Sequence, residues 1–227
     1  MEHILLKISV MLVPALLAVT MHEIAHGYSA EKLGDPTARL LGRLTLNPLK
    51  HLDPIGTIAL LVFGFGWARP VPVNAGNLRN PSKDMIWVSL AGPAANLMLA
   101  LFCALLLRVV VYAAASQPDA SPLLSFIKPI GLMAAFGLYI NVILCLFNLL
   151  PIPPLDGGRV LMGILPEAQA QMLRKIEPFG LILIVFLIFG TQLWSKVLGP
   201  TIHQVVAILA GPHMDVVEQT MHLLFYQ

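Results

Sequence analysis

The stretch LLAVTMHEIAHGYSAEKLGD, residues 16–35, decides how this sequence is interpreted. It continues an apolar segment that begins near residue 4, yet it has His22, Glu23 and His26 where an apolar helix would have Leu or Ala. Ionisable side chains within a membrane segment are costly, and they mark functional sites. The stretch therefore predicts a functional site on a first membrane helix that is retained rather than cleaved as a signal.

The composition of the whole chain is that of an integral membrane protein. Of its 227 residues, 57% are hydrophobic and 11% are charged, against roughly 25% charged residues in an ordinary soluble domain. The mean hydropathy is +0.80. We expect one α-helical multi-pass domain over residues 1–227 with about five to six membrane segments. A net charge of +2 and the lack of a basic patch exclude nucleic acid as a partner. Apolar runs occur at 4–21, 55–66, 86–112, 123–150, 178–194 and 197–211.

The run at 55–66 differs from the others in length and in its flanks. As a helix of twelve residues it would reach only about 18 Å, so we expect a short re-entrant element. Both flanks, 31–53 and 67–84, are basic, which predicts that both face the cytoplasm, whereas 113–122 has no basic residue and is expected outside. Alternating and Pro-rich sequences in 36–77 predict short strands and turns.

The pattern HEIAH can bind a metal ion. On a helix, His22 and His26 are i and i+4, so both imidazoles lie on one face and can reach one ion. Glu23 lies between them and suits proton transfer to and from water. H-E-x-x-H is the zinc-metalloprotease pattern, with Glu as the general base. The alternative, two hydrogen-bonded histidines at a polar helix end, is less favoured within an apolar segment.

A catalytic zinc usually has three protein ligands, and few carboxylates lie in apolar surroundings here. Asp156, which precedes Gly157 and Gly158, is the preferred third ligand, and its alternative role is that of a helix N-cap. His51 with Asp53 is the second metal candidate, although a loop or supporting role is favoured for that pair.

Together these motifs resemble the site-2 protease family of intramembrane zinc metalloproteases. HEIAH is similar to the first motif of that family and NLLPIPPLDGG, at 148–158, to the second; AGPAAN (91–96) and NPLKHLDPIGT (47–57) match further family segments. The motifs occur in the family's order from about residue 22 to residue 159. The resemblance is to the minimal form, without PDZ-like or CBS-like domains.

The resemblance implies a fold, a cofactor and roles for five residues. It implies one catalytic Zn²⁺ on His22, His26 and Asp156, with Glu23 activating water and Asn148 holding the substrate or the developing oxyanion. The expected substrates are membrane-embedded proteins with a single-span or signal-peptide-like helix, cut within or near that helix. The expected location is the inner or plasma membrane, with the active site toward the cytoplasm.

Three further interpretations stay open at this point. Asn141 lies on nearly the same helix face as Asn148 and is favoured as an interhelical hydrogen-bonding residue. AGPAAN, with Gly92, is favoured as a close helix-packing face, and Asn96 also as a support of the site. The 36–77 region is a candidate for receiving an extended substrate by β-addition, or for plugging the site. The alternatives to a protease are a divalent-metal transporter and a catalytically silent binding protein of the same fold.

Overall fold

The computed structural model of the chain describes residues 2–56, 58, 67–118 and 121–225. Three of its helices are long and apolar enough to cross a membrane: α1 (Glu2–Lys32), α3 (Pro81–Ala115) and α4 (Leu124–Asn148). The first confirms that the apolar segment and HEIAH belong to one continuous helix. The membrane class is confirmed, whereas a count of five to six membrane segments is not.

The other helices are short. The predicted segments at 178–194 and 197–211 correspond to α7 (Gly180–Gly190, 11 residues) and α8 (Gly199–Ala210, 12 residues). These helices reach about 16–18 Å at 1.5 Å per residue. Neither is long enough to span the roughly 30 Å hydrocarbon core alone. The short helices are α2 (Thr37–Leu40), α5 (Asp156–Ile164), α6 (Glu167–Ile176), α7 (Gly180–Gly190), α8 (Gly199–Ala210) and α9 (Met214–Phe225).

The C-terminal segment is two helices rather than one span. Gly211 has φ +60°, a left-handed conformation that glycine adopts easily, and it ends α8 before α9 begins. Leu224 of α9 packs with Val10 and Phe136 in one buried apolar cluster. The end of the chain therefore contributes to a packed core.

The residues form two compact units. The first unit has a buried amide network: Asn96 Nδ2 donates to the Ala18 carbonyl at 3.2 Å and to Asn141 Oδ1 at 2.9 Å, and Asn141 donates to the Gly137 carbonyl at 2.8 Å. The interhelical interpretation of Asn141 is confirmed. The first unit comprises Met1–Ala18, Asn96–Leu144 and Trp194–Gln227, and the second comprises Val19–Ala95 and Cys145–Leu193.

The region 36–77 contains no strand among its described residues, so the predicted short strands are not confirmed. It has α2, two 3₁₀ turns and one isolated antiparallel bridge between Leu52 and Ala68. After the bridge, the Arg69 N–H donates to the His51 carbonyl, whereas the N–H groups of Val71 and Asn74 donate to side-chain carboxylates. The predicted re-entrant element at 55–66 falls mostly outside the described residues.

Candidate metal centre

Three side chains of the second unit, those of His22, His26 and Asp156, converge on one point. Nε2 of His22 and Nε2 of His26 are 3.0 Å apart, and Oδ2 of Asp156 lies 3.2 Å from the first and 3.3 Å from the second. The two histidines are 9% exposed and Asp156 is 7% exposed. The structure therefore brings together the three residues that the sequence analysis named as candidate ligands.

The triangle is close in size to one face of a zinc coordination tetrahedron. With Zn–N and Zn–O distances near 2.0–2.2 Å, the ligand atoms of a tetrahedral site lie about 3.3–3.5 Å apart. The observed separations, 3.0–3.3 Å, are slightly shorter. Oδ2 of Asp156 is buried and has no hydrogen-bond donor of good geometry. A buried carboxylate oxygen beside two imidazole nitrogens is a donor set that fits a divalent cation.

The orientation of His26 is fixed from outside the triangle. Its Nδ1–H donates to the main-chain carbonyl of Val88 at 2.7 Å, and because a carbonyl only accepts, the lone pair of the neutral imidazole lies on Nε2. Metal-ligating histidines commonly have such a partner on the second nitrogen. Val88 belongs to α3, so this helix sets both the tautomer and the ring position of His26.

Gly92, one turn after Val88 on α3, faces the two imidazoles. A Cβ atom here would stand 2.6 Å from Cε1 of both His22 and His26, and closer still to Nε2 of His26. Gly92 is a close-packing residue, as expected, but what it packs against is the pair of imidazole rings. Sequence reasoning missed that partner.

Asp156 is placed by a tight turn that precedes α5. Methyl groups at Gly157 and Gly158 would collide with the main chain of residues 149–150 and 152–153, respectively, because the turn folds back over the start of the helix. The N-cap alternative is wrong: Leu155 is the N-cap, and Asp156 is the first helical residue and makes no capping hydrogen bond. Its carboxylate points to the histidines instead.

The electrostatics of the site favour the charged form of Asp156. Burial by itself raises the pKa of this carboxyl, but the adjacent His22 and His26 imidazoles outweigh burial and hold the pKa well below its usual range. A charged carboxylate and an imidazole lone pair are the forms that bind a cation.

Glu23 lies outside the group of converging ligand atoms. Its Oε2 accepts a hydrogen bond from the main-chain N–H of Val71 at 2.7 Å. Asn148 is half-buried at the end of α4 and is likewise not part of the converging group. The second metal candidate, His51 with Asp53, does not belong to the converging group found among the described residues. His51 Nε2 donates to the Thr45 carbonyl at 2.8 Å, which fits the favoured loop role.

Comparison with known proteins agrees with this geometry. The family model for peptidase family M50 matches residues 124–191. A Bacillus subtilis protein, YwhC, is 42% identical over 193 residues, which is 85% of this chain and 85% of the relative. This chain belongs to peptidase family M50. The predicted resemblance to site-2 proteases is confirmed.

Two other relatives of this M50 chain are the Rip2 proteins of mycobacteria. The Mycolicibacterium smegmatis protein is 33% identical over 187 residues, 78% of this chain and 66% of the relative. The Mycobacterium tuberculosis protein is 28% identical over 207 residues, 85% of this chain and 74% of the relative. All three relatives bear names that begin "Putative zinc metalloprotease". No solved structure is significantly similar to the chain.

In this M50 peptidase, the His-His-Asp group can hold the metal that the names of its relatives specify. Zinc is matched by the two imidazole nitrogens and the one carboxylate oxygen, which lie close enough together to share one ion. The sequence analysis did not place Gly92 against the imidazoles and did not name Val71 at all. Val71 contributes only its main-chain N–H, to Glu23, and a main-chain group cannot be recognised from the residue type.

Proposed function

We propose that this M50 peptidase is an intramembrane zinc metalloprotease that hydrolyses peptide bonds within or near transmembrane segments of membrane-anchored proteins. The observation that carries the proposal is the triangle of His22, His26 and Asp156 at the end of an apolar helix that is long enough to span a membrane. Its relatives with zinc metalloprotease names support the same activity.

His22, His26 and Asp156 would hold one zinc ion and leave a fourth position open. A zinc ion there would lower the pKa of a water molecule to about 7 and polarise the scissile carbonyl. The residues of the chain have the complementary task of fixing the ligand atoms: Val88 orients His26, and the turn before α5 holds Asp156.

Glu23 is the proposed general base. It follows His22 on the helix and is not one of the converging ligands, so its carboxylate is available to take a proton from water and to pass it to the leaving amine. Asn148 is the proposed group that holds the substrate or hydrogen-bonds the developing oxyanion. A substrate helix must unwind locally before its peptide bond is accessible, because its own hydrogen bonds shield that bond.

The proposed location of the site is the cytoplasmic side of the inner or plasma membrane. The basic flanks 31–53 and 67–84 support this, as does the bridge that brings Leu52 next to Ala68. Since residues on either side of the short apolar run are neighbours, both flanks are expected on one face of the membrane.

The test is cleavage of a model single-span substrate by the purified full-length protein, with zinc content measured on the same preparation. Glu23→Gln keeps the shape of the side chain but cannot accept the proton. We expect Glu23→Gln to retain zinc and to lose turnover by about 10²–10⁴-fold, and to co-purify with uncut substrate. A wild-type protein that binds zinc but cleaves no single-span substrate would indicate the silent binding protein instead. Near-normal turnover by Glu23→Gln would exclude Glu23 as the base.

A further inference from the structure

A segment of the second unit, residues 69–78, which includes the 3₁₀ turn Ala75–Asn77, runs beside the C-terminal half of α1. Near its start, the Val71 N–H donates to Oε2 of Glu23 at 2.7 Å. Further along, the Asn74 N–H donates to Oδ2 of Asp35 at 2.7 Å, and the Asn77 side-chain amide donates to Oδ1 at 2.9 Å. Two carboxylates, one at each end of this part of α1 and its following turn, thus fasten the segment.

The segment also packs closely against α1, at Gly27. A Cβ atom on Gly27 would stand 2.8 Å from Cγ1 of Val71 and 2.7 Å from Cδ2 of Leu44. The Val71 side chain is buried. Only a glycine at position 27 therefore lets Val71 approach α1 next to the HEIAH motif.

Two residues before Val71, both the N–H and the carbonyl of Arg69 are hydrogen-bonded. The Arg69 N–H donates to the His51 carbonyl at 2.9 Å, and Nη2 of Arg43 donates to the Arg69 carbonyl at 2.9 Å. Pro70 has a fixed φ, and Pro72 restricts the backbone of Val71 that precedes it. The Val71 N–H is consequently presented in one direction by a stiff stretch of chain.

Arg43 connects this stretch with Glu23 electrostatically as well. Burial and the neighbouring Arg69 guanidinium lower the pKa of Arg43, and the Glu23 carboxylate acts in the opposite sense. The carboxylate and this cation are therefore within electrostatic reach of each other.

We propose that the main-chain N–H of Val71 is a positioning group for catalysis: it holds Oε2 of Glu23 and so directs Oε1 to proton transfer. This rests on the proposed role of Glu23 as general base. A carboxylate that accepts a fixed main-chain N–H loses the rotation about its terminal bond, and it needs no reorientation when the proton moves. Arg43 and His51 act through Arg69 to keep that N–H in place.

The same residues are poorly suited to the alternative role of receiving a substrate by β-addition. A strand template needs an N–H on alternate residues, and Pro70 and Pro72 have none. The N–H of Val71, which lies between them, is already used by Glu23. The structure thus favours a segment that organises the base over one that pairs with the substrate.

The test compares three variants of the full-length protein on a single-span substrate, with kcat, KM and zinc stoichiometry measured for each. Val71→Pro removes the N–H from a residue that already lies between two prolines. Val71→Ala trims the side chain and keeps the N–H. Val73→Pro is the matched control, since it makes the same substitution in the same segment and leaves the Val71 N–H intact.

We expect Val71→Pro to bind zinc fully, to keep KM within about threefold of wild type, and to lose kcat by about 10–100-fold. Val73→Pro should keep kcat within about threefold, and Val71→Ala should restore most of the kcat that Val71→Pro loses. A kcat for Val71→Pro that equals or exceeds that of Val73→Pro overturns the proposal, as does a loss that is explained by missing zinc.

A second variant covers the case in which Val71→Pro does not fold. Gly27→Ala pushes Val71 away from α1 without altering its N–H, so kcat should fall with zinc retained, and the double variant Gly27→Ala/Val71→Ala should recover part of it; unchanged kcat in Gly27→Ala overturns the proposal. Failure of the proposed function would give a different result from failure of the Val71 proposal. In that case the wild-type protein would not cleave the substrate, or Glu23→Gln would cleave it as fast as wild type.

Discussion

Substituting Gly92 by alanine tests whether α3 forms a wall of the metal centre. The new methyl carbon would stand 2.6 Å from Cε1 of each imidazole, whereas ordinary contact begins near 3.4 Å. The rings must therefore retreat by about 0.8 Å, the difference between these two distances. The ring of His26 cannot move away freely, because its Nδ1–H donates to the carbonyl of Val88, which lies four residues before Gly92 on α3.

A shift of this size is large on the scale of metal coordination, where ligand distances are maintained within about 0.2 Å. We expect Gly92→Ala to weaken zinc binding by at least about 10–100-fold, the loss typical when a supporting partner of a ligand is removed. Zinc retention is measured by competition with a graded series of chelators, on protein whose helix content is unchanged.

The matched control for this substitution is Gly131→Ala. It places the same methyl group in the long apolar helix α4, where the nearest atom, Cγ1 of Val110, is 3.1 Å away and needs to move by only a few tenths of an ångström. Gly131→Ala should keep wild-type zinc affinity. If Gly92→Ala also binds zinc as wild type does, then α3 does not confine the imidazoles and the assignment of the site geometry is refuted.

Three other predictions follow from the structure. Asp156→Ala should abolish stoichiometric zinc by elemental analysis, whereas His51→Ala should leave it nearly unchanged; the reverse result would move the third ligand to the loop. Burial raises the pKa of Asp35, but hydrogen bonds from Thr37, Asn77 and the Asn74 N–H outweigh burial and lower that pKa. The carboxylate therefore stabilises the fold above the unfolded pKa of about 3.9, and this stabilisation is lost as the pH falls through the folded pKa. Asp35→Asn should cost about 1–3 kcal/mol at pH 7 and flatten the acid limb of a thermal-unfolding series, and an unchanged limb would contradict this. Cysteines introduced singly in 31–53 and in 67–84 should react with the same membrane-impermeant reagent from the same side; labelling from opposite sides would exclude the common location.

The sequence was informative where structure follows from local spacing. Run length predicted the long helices, and the i, i+4 spacing of His22 and His26 predicted that their rings share a face. Asp156 was found by chemistry and family resemblance, because 130 positions separate it from His26 and no local rule links them. Short strands and turns were predicted for 36–77 from prolines and β-formers; the described residues have the turns but no strand, and composition does not reveal what this part of the chain binds. Its partners are the carboxylates of Glu23 and Asp35.

The glycines around the metal centre explain why the ligands alone do not define it. Gly92, Gly157 and Gly158 lie in helices, where glycine costs about 1 kcal/mol relative to alanine in water. At each of them a Cβ atom would overlap either the imidazoles or the returning main chain. The helical cost is therefore offset by close approach: α3 reaches the histidines, and the turn before α5 brings the Asp156 carboxylate onto them. The ligand atoms are consequently held about 3 Å apart by packing against backbone, so that an ion entering the site needs little rearrangement of the chain.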